Sequence, residues 1–372
     1  MNVWSLSTKV FTGIDSLERL KSLKKKSIFI VCDPFLIGSL IFKEIITLLI
    51  EKDNQLQVYS KVTPDPPITE VVQCMDEMQG FRPEVVLAIG GGSAIDLTKG
   101  VIFFSEKISS VPIEKFVVIP TTSGTGSEVT SVSVITDNKN DIKYPLVDNS
   151  MLPDEAILNP KLVLSSPPKV TAYSGMDVLT HALEALVAKN ADTYTDALAE
   201  KAIEIIFEEL VRCYENGDDL ESRLLMHEAS CLAGMSFNLA GLGISHALAH
   251  QVGGKLHVPH GLANTMLLPH VVKLNARNEN AKKKYVRIMK RLKPDKNIGS
   301  EDMLIENLSH SIKSLAIQLD CPLSLTDFGI EKSLSRKYLD EVIRNAKKDF
   351  TFKTNPVEPS DQELGGIYTS IH

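Results

Sequence analysis

The sequence predicts an α/β domain built on a parallel sheet over residues 1–176, followed by an all-helical domain over residues 177–372. Three observations carry this. Short runs rich in Val and Ile alternate with helical stretches through the first half. Prolines then cluster in "LNPKLVLSSPPKVTAYSG" (Leu158 to Gly175). Beyond Met176 runs of strand type almost vanish and long helical periodicities replace them. A chain of 372 residues also exceeds one ordinary core, so two domains fit its length.

"SIFIVCD" (Ser27 to Asp33), "VVLAIGGG" (Val85 to Gly92) and "FVVIPTT" (Phe116 to Thr122) read as buried strands stopped by Gly, Pro or Asp. "SLIFKEIITLLIEKD" and "ITEVVQCMDEMQG" read as the helices between strands, which implies a doubly wound parallel sheet. "TSVSVITDNKNDIKYPLVDN" (Thr130 to Asn149) differs: two β-rich runs flank the turn-forming "DNKND", which predicts a hairpin. The second domain should be built from "DVLTHALEALVA", "TYTDALAEKAIEIIFEELVRCYEN", "LESRLLMHEASCLAGMSF", "HALAHQVGGKL" and "ENAKKKYVRIMKRLK".

Apolar residues at 43% and charged residues at 23% are globular values. A formal charge of −7 argues against a nucleic-acid partner, which would demand a basic face. "KSLKKKS" (Lys21 to Ser27) reads as a solvated helix end. The five cysteines are scattered and form no Cys-x-x-Cys pair, which suits a reducing compartment and offers no thiolate metal site. The N-terminus lacks the apolar core of a secretory signal, and no apolar run reaches spanning length. A cytoplasmic protein without membrane association is expected.

"IGGGSAIDLTKG" (Ile89 to Gly100) follows a strand and opens a helix. Its glycines allow a tight turn whose free N–H groups face an anion at the helix N-terminus. The spacing is neither Gly-x-Gly-x-x-Gly nor that of a P-loop, and such a turn can be merely structural. The next strand ends in a second loop rich in glycines and hydroxyls, "PTTSGTGSEVT" (Pro120 to Thr130). Two such loops at neighbouring strand ends favour a nucleotide or phosphate site over two unrelated turns.

Four of the nine histidines, His246, His250, His257 and His260, lie in "GISHALAHQVGGKLHVPHG". His246 and His250 share a helical face, as do Asp177 and His181 in "GMDVLTHALEA". A lone helical histidine is usually no ligand, but two spaced pairs and a further histidine beyond a glycine turn suggest a metal site. Imidazoles with one carboxylate suit Fe²⁺ or Zn²⁺, and four ligands leave a coordination position open for catalysis. His227, His270, His310 and His372 stand singly and carry no such reading.

Together "TPDPP", "GGGSAIDLTK", "PTTSGTGSEVT", "GMDVLTHALEA", "GLGISHALAHQVGG", "PHGLAN" and "KTNP" resemble the iron-dependent (group III) alcohol dehydrogenase family, nearly end to end. "SLSTKVFTG", "IKYPLVDN" and His257 before "VPHG" resemble the branch that forms 1-propanol in bacterial propanediol utilisation; ethanol and ethanolamine-pathway enzymes share most of the same marks. The resemblance implies the two-domain architecture shared with dehydroquinate synthase-like enzymes. It implies Asp177, His181, His246 and His260 as metal ligands, with iron or zinc as the ion. His250 would stay off the metal and relay the alcohol proton. Gly91, Gly92 and Ser93 would turn over the pyrophosphate of a dinucleotide, and Thr121, Thr122, Thr125 and Lys143 would line it. Asp33 would accept from a ribose 2′-hydroxyl and repel a 2′-phosphate, favouring NAD over NADP. Asp65 stands where the family often has Asn.

The chemistry so implied is hydride transfer between NAD(H) and a short-chain aldehyde or alcohol, propionaldehyde to 1-propanol above others. A homo-oligomer, and a place beside the proteins of a bacterial microcompartment, are implied with it. One rival is a metal- and NAD-dependent sugar-phosphate cyclase, whose pocket needs several basic residues. Ser174 to Glu184 and Leu242 to Gly261 contain only Lys255. The other rival, a module keeping a metal for stability alone, fits poorly with an open four-ligand set beside a nucleotide cradle.

Overall fold

The computed structural model describes residues 5, 7–108, 112–138, 142–292 and 299–372, the side chains of 142 and 143 excepted. The β-branched runs of the first half become β1 (Lys9–Thr12), β2 (Ser27–Cys32), β3 (Gln55–Tyr59), β4 (Val85–Gly90), β5 (Lys115–Pro120), β6 (Val132–Asp137), β7 (Ile142–Val147) and β8 (Glu155–Leu158). Six of them form one sheet in the order β1-β8-β5-β4-β2-β3, with every neighbour parallel. β6 and β7 form the expected antiparallel hairpin, Val132 opposite Val147 and Thr136 opposite Lys143. Residues 139–141 of its turn lie outside the described residues.

Alternation along the central strands loads both faces of the sheet with apolar side chains. Phe29, Val31, Val86, Ala88 and Val118 share one core cluster with Val71, Cys74 and Met78 of α2 (Ile68–Phe81) and Ile95 and Leu97 of α3 (Gly92–Ile108). Ile28, Ile30, Leu87, Val117 and Ile119 share the opposite cluster with Phe42, Ile45 and Leu49 of α1 (Leu40–Ile50). Strands buried on both faces are what a parallel sheet demands, because its crossover helices cover both sides. The chain runs outward from β2 to β3, then returns to β4 on the other side of β2. That reversal is a topological switch point, where strand ends diverge and a ligand can enter.

From Ser166 onward the described residues contain no strand. The larger elements are α4 (Pro168–Val187), α5 (Thr193–Glu215), α6 (Leu220–Ala240), α7 (Ile244–Leu256), α8 (His260–Asn275), α9 (Glu279–Leu292) and α10 (Glu301–Gln318). The break between the two compact units falls at Ser165–Ser166, ahead of α4, and not at residue 176 within it. Pro168 explains this: at the first helical position its fixed φ suits the helix and its missing N–H needs no partner. α5 begins at a capping box, with the Asp192 carboxylate accepting from Tyr194 and Thr195 N–H. None of the five cysteines forms a disulfide, and all are buried. Among the described residues no single helix is long and apolar enough to cross a membrane.

α4 is the core helix of the second unit, buried almost continuously from Gly175 to Val187. It packs on α5, α6 and α8. The approach of α8 is so close that a Cβ on Gly261 would lie 2.1 Å from the Tyr173 carbonyl oxygen and 3.2 Å from the Asp177 Cβ. Only glycine lets the helix that starts at His260 come this near the stretch carrying Asp177. Gly261→Ala should therefore destabilise the chain by about 1–3 kcal/mol, because neither backbone can yield freely. A urea midpoint equal to that of the unaltered chain would refute the close approach.

Candidate metal and nucleotide sites

In the first unit, β2, β4 and β5 are adjacent and end together: Cys32 is opposite Ile89, and Gly90 opposite Pro120. The next residue of each chain segment turns to its neighbour. Asp33 N–H donates to Ile89 O at 3.2 Å and Thr121 N–H to Gly90 O at 3.0 Å. The Asp33 carboxylate accepts from Gly91 N–H at 2.8 Å, although burial works to raise its pKa. Asp33 is thus part of the glycine turn as well as a group at its rim. A Cβ on Gly90 would lie 2.5 Å from Asp33 Oδ2, and one on Gly92 would lie 2.7 Å from Thr125 Cγ2. Thr122 lies against Gly91 in the same way, with its Cγ2 3.3 Å from a Cβ there.

Gly91, Gly92, Thr122 and Thr125 therefore come together where α3 begins, with Ser93 half-buried in its first turn. Thr121 is buried, and its hydroxyl has no hydrogen-bond partner among the described residues. A glycine cradle, the start of a helix and a hydroxyl without a partner among the described residues at one strand edge fit the phosphates of a dinucleotide. Lys143 stands on β7, but its side chain lies outside the described residues.

A residue that the sequence reading missed holds the second loop still. Lys99, fully buried on α3, donates to Thr130 O at 2.7 Å, Val132 O at 2.9 Å, Ser127 Oγ at 3.0 Å and Thr130 Oγ1 at 3.0 Å. Burial pushes its ammonium down to about 8, against the attraction of Asp96 and Glu128. Asp96 completes the lock, accepting from Ser127 Oγ and Val134 N–H. Both belong to "SAIDLTK", where their spacing marks a helix face but names no partner.

In the second unit, α4 carries Asp177 and His181 one turn apart, and α7 carries His246 and His250. Asp177, His181 and His246 are buried and offer ligand atoms that all lie within 4.8 Å of one another. The His181 ring is held between Phe237 and His246, with both ring centroids 4.6 Å away. His260 stands at the rim: its Nε2 is 3.5 Å from Asp177 Oδ1, and its side chain is 42% exposed. His250 stacks on His260 at 5.3 Å between centroids. His257 is not part of the group; it ends α7 in a left-handed conformation, φ +53°.

The electrostatics of this cluster suit a cation. Burial acts to raise the Asp177 carboxyl, but the imidazoles of His260, His181 and His246 and the Asn264 amide outweigh it and hold it below the usual carboxylate range. Burial pushes His246 down to about 4 against the attraction of Asp177, so its imidazole is neutral. Its Nδ1 lies 2.6 Å from Glu184, which commits that nitrogen. Its Nε2 is buried, has no hydrogen-bond partner among the described residues, and faces Asp177 Oδ1 at 3.8 Å. A divalent ion shared between that nitrogen and the Asp177 carboxylate would give both a partner.

Three further partners escaped the sequence reading. Glu184 follows Asp177 by seven residues and His181 by three, so "DVLTHALE" already placed it on their stripe. Asn264, one turn beyond His260, donates to Asp177 Oδ1 at 2.9 Å. Asp349 accepts from or shares a proton with His250 Nδ1 at 2.8 Å, and its other oxygen accepts from Thr351 N–H and Oγ1. No local signal announces Asp349, because it meets His250 only through the tertiary fold.

Residues 7–160 match the family described as iron-containing alcohol dehydrogenase, and residues 171–372 match the C-terminal domain of the same Fe-containing family. The chain belongs to the iron-containing alcohol dehydrogenase family. It is accordingly an oxidoreductase. The 1-propanol dehydrogenase PduQ of Citrobacter freundii is 46% identical over 358 residues, which cover 96% of each chain. A crystal structure of 1,3-propanediol oxidoreductase superposes with a TM-score of 0.93 at 29% identity, covering all of both chains. The sulfoacetaldehyde reductase of Bifidobacterium kashiwanohense, solved in complex with NAD⁺, gives a TM-score of 0.88 at 26% identity, covering 100% of this chain and 98% of that one.

Proposed function

We propose that this chain is an NAD(H)-dependent alcohol dehydrogenase that reduces a short-chain aldehyde, propionaldehyde to 1-propanol above others. The observation that carries the reading is the convergence of Asp177, His181 and His246 on one point, with His260 at its rim and His250 beside it. The similarity to PduQ supports the choice of propionaldehyde, and the NAD⁺ complex of the sulfoacetaldehyde reductase supports the choice of dinucleotide.

Asp177, His181, His246 and His260 would hold the divalent metal, iron by family and zinc by the same donor chemistry. When bound, that ion polarises a carbonyl as a Lewis acid, while the nicotinamide supplies the hydride. The remaining work falls to the protein. Asp349 commits His250 Nδ1, so Nε2 is the ring atom that exchanges the alcohol proton. The Gly91–Ser93 turn and Thr121, Thr122, Thr125 and Lys143 would seat the dinucleotide, with Asp33 accepting from its ribose hydroxyl. Lys255, the single basic residue in the segments around the histidines, is paired with Glu341 at 2.8 Å, which suits an uncharged substrate rather than a sugar phosphate. We further assign the enzyme to the cytoplasm, as a homo-oligomer packaged in a microcompartment.

A steady-state assay of protein reconstituted anaerobically with Fe²⁺, using NADH and aldehydes of two to six carbons, tests the class and the substrate together. kcat/KM should peak at three carbons; no NADH oxidation with any aldehyde would overturn the reading. His260→Ala should lose both bound metal and turnover. His250→Ala should keep the metal and lose about 10²- to 10⁴-fold in kcat, the usual worth of a positioned acid or base. Loss of the ion from the second variant would reassign His250 as a ligand. Asp33→Gly removes the ribose acceptor and the tether on Gly91 N–H together. KM for NADH should rise while the preference over NADPH relaxes, and an unchanged ratio would remove Asp33 as selector.

A further inference from the structure

Glu184 makes three side-chain hydrogen bonds beside the metal cluster without being one of the residues whose ligand atoms converge there. Its carboxylate is almost fully buried, and all three of its hydrogen bonds run to the first turn of α7. Oε1 accepts from Ser245 N–H at 2.7 Å. Oε2 accepts from Gly243 N–H at 3.1 Å and lies 2.6 Å from His246 Nδ1. The N-cap of α7 is Gly243, which has no side chain to satisfy that turn, and a Cβ there would lie 2.8 Å from Glu184 Oε1. Asn355 Oδ1 takes the intervening Ile244 N–H at 3.3 Å.

Burial pushes the Glu184 carboxyl up to about 7, while the Ser245 and Gly243 N–H groups favour its charged form; ionised, it accepts and does not donate. Its partner nitrogen on His246 must then carry the ring proton, and the other nitrogen must be a bare lone pair. That other nitrogen is Nε2, the atom facing Asp177 Oδ1. A second chain braces the carboxylate ligand from the same turn: Ser245 Oγ donates to Asn264 Oδ1 at 3.1 Å, and Asn264 Nδ2 donates to Asp177 Oδ1 at 2.9 Å. One buried turn therefore orients a ligand on α7 and a ligand on α4.

We propose that Glu184 is a positioning residue of the metal centre: it holds His246 in the Nδ1–H tautomer and so presents Nε2 as the ligand atom. The proposal rests on reading His246 as a metal ligand. Its rival is a purely structural Glu184 that only caps α7. Glu184→Gln separates the two. The amide oxygen can keep the Ser245 N–H, but the amide NH₂ then faces His246, which must accept at Nδ1 and carry its proton on Nε2 instead.

The experiment is chelator competition for Zn²⁺ and Co²⁺, joined to nitrogen NMR of ¹⁵N-histidine-labelled, metal-free full-length chain, with His246→Ala to assign the ring signals. The unaltered chain should show the Nδ1–H tautomer at His246, and Glu184→Gln should show Nε2–H. Metal affinity should fall about 10- to 100-fold in Glu184→Gln, the usual effect of losing such a partner. An Nε2–H tautomer in the unaltered chain, or undiminished affinity in Glu184→Gln, overturns the proposal. Should Glu184→Gln fail to fold, the tautomer of the unaltered chain still decides. His246→Ala distinguishes the two levels. If it retains full metal affinity, the ligand reading itself fails. If it loses the metal and Glu184→Gln does not, only the role of Glu184 falls.

Discussion

A buried carboxylate facing buried imidazoles governs the second unit. Asp177 and His246 have been taken out of water, and burying charge or lone pairs is costly unless each finds a partner. The protein meets that demand on the outer side of the cluster. Glu184 takes His246 Nδ1, Asn264 takes one oxygen of Asp177, and Phe237 covers His181. On the inner side the ligand atoms face one another. An arrangement bonded on its outer side and crowded with donor atoms on its inner side suits a cation.

The same constraint explains features that would otherwise look like packing detail. Gly261 is required because α8 must bring His260 against α4, within reach of Asp177. Gly243 is required because the Glu184 carboxylate and the Asn355 amide occupy the space a side chain would take. Asn355 in "KTNP" is buried and bonded to Asn275, so a motif near the C-terminus serves the start of α7. In the first unit a comparable economy operates. Asp33 shapes the glycine turn it borders, and Lys99 ties the following loop to α3.

Much of this was legible in the chain. The doubly wound sheet followed from runs buried on both faces and separated by helical text, a pattern that the local period alone discloses. Asp177 with His181, and His246 with His250, were legible as pairs because a four-residue step returns to one helix face. The hairpin followed from its turn chemistry. The proline cluster marks where α4 can start, ahead of the change in the character of the text near residue 176.

Pairings across long separations were not legible. Asp349 reaches His250, Glu184 reaches the first turn of α7, and Lys99 reaches the carbonyls of Thr130 and Val132. Each requires two elements to pack in a particular register, which periodicity cannot specify. Nor could spacing tell that His257 merely ends a helix while His260, three residues on, turns toward Asp177. The sequence by itself determined which side chains share a face, because that depends on backbone geometry within one element. Only the tertiary structure decided which faces meet, because that depends on the close approach of helices that glycines permit and on buried polar groups finding partners far along the chain.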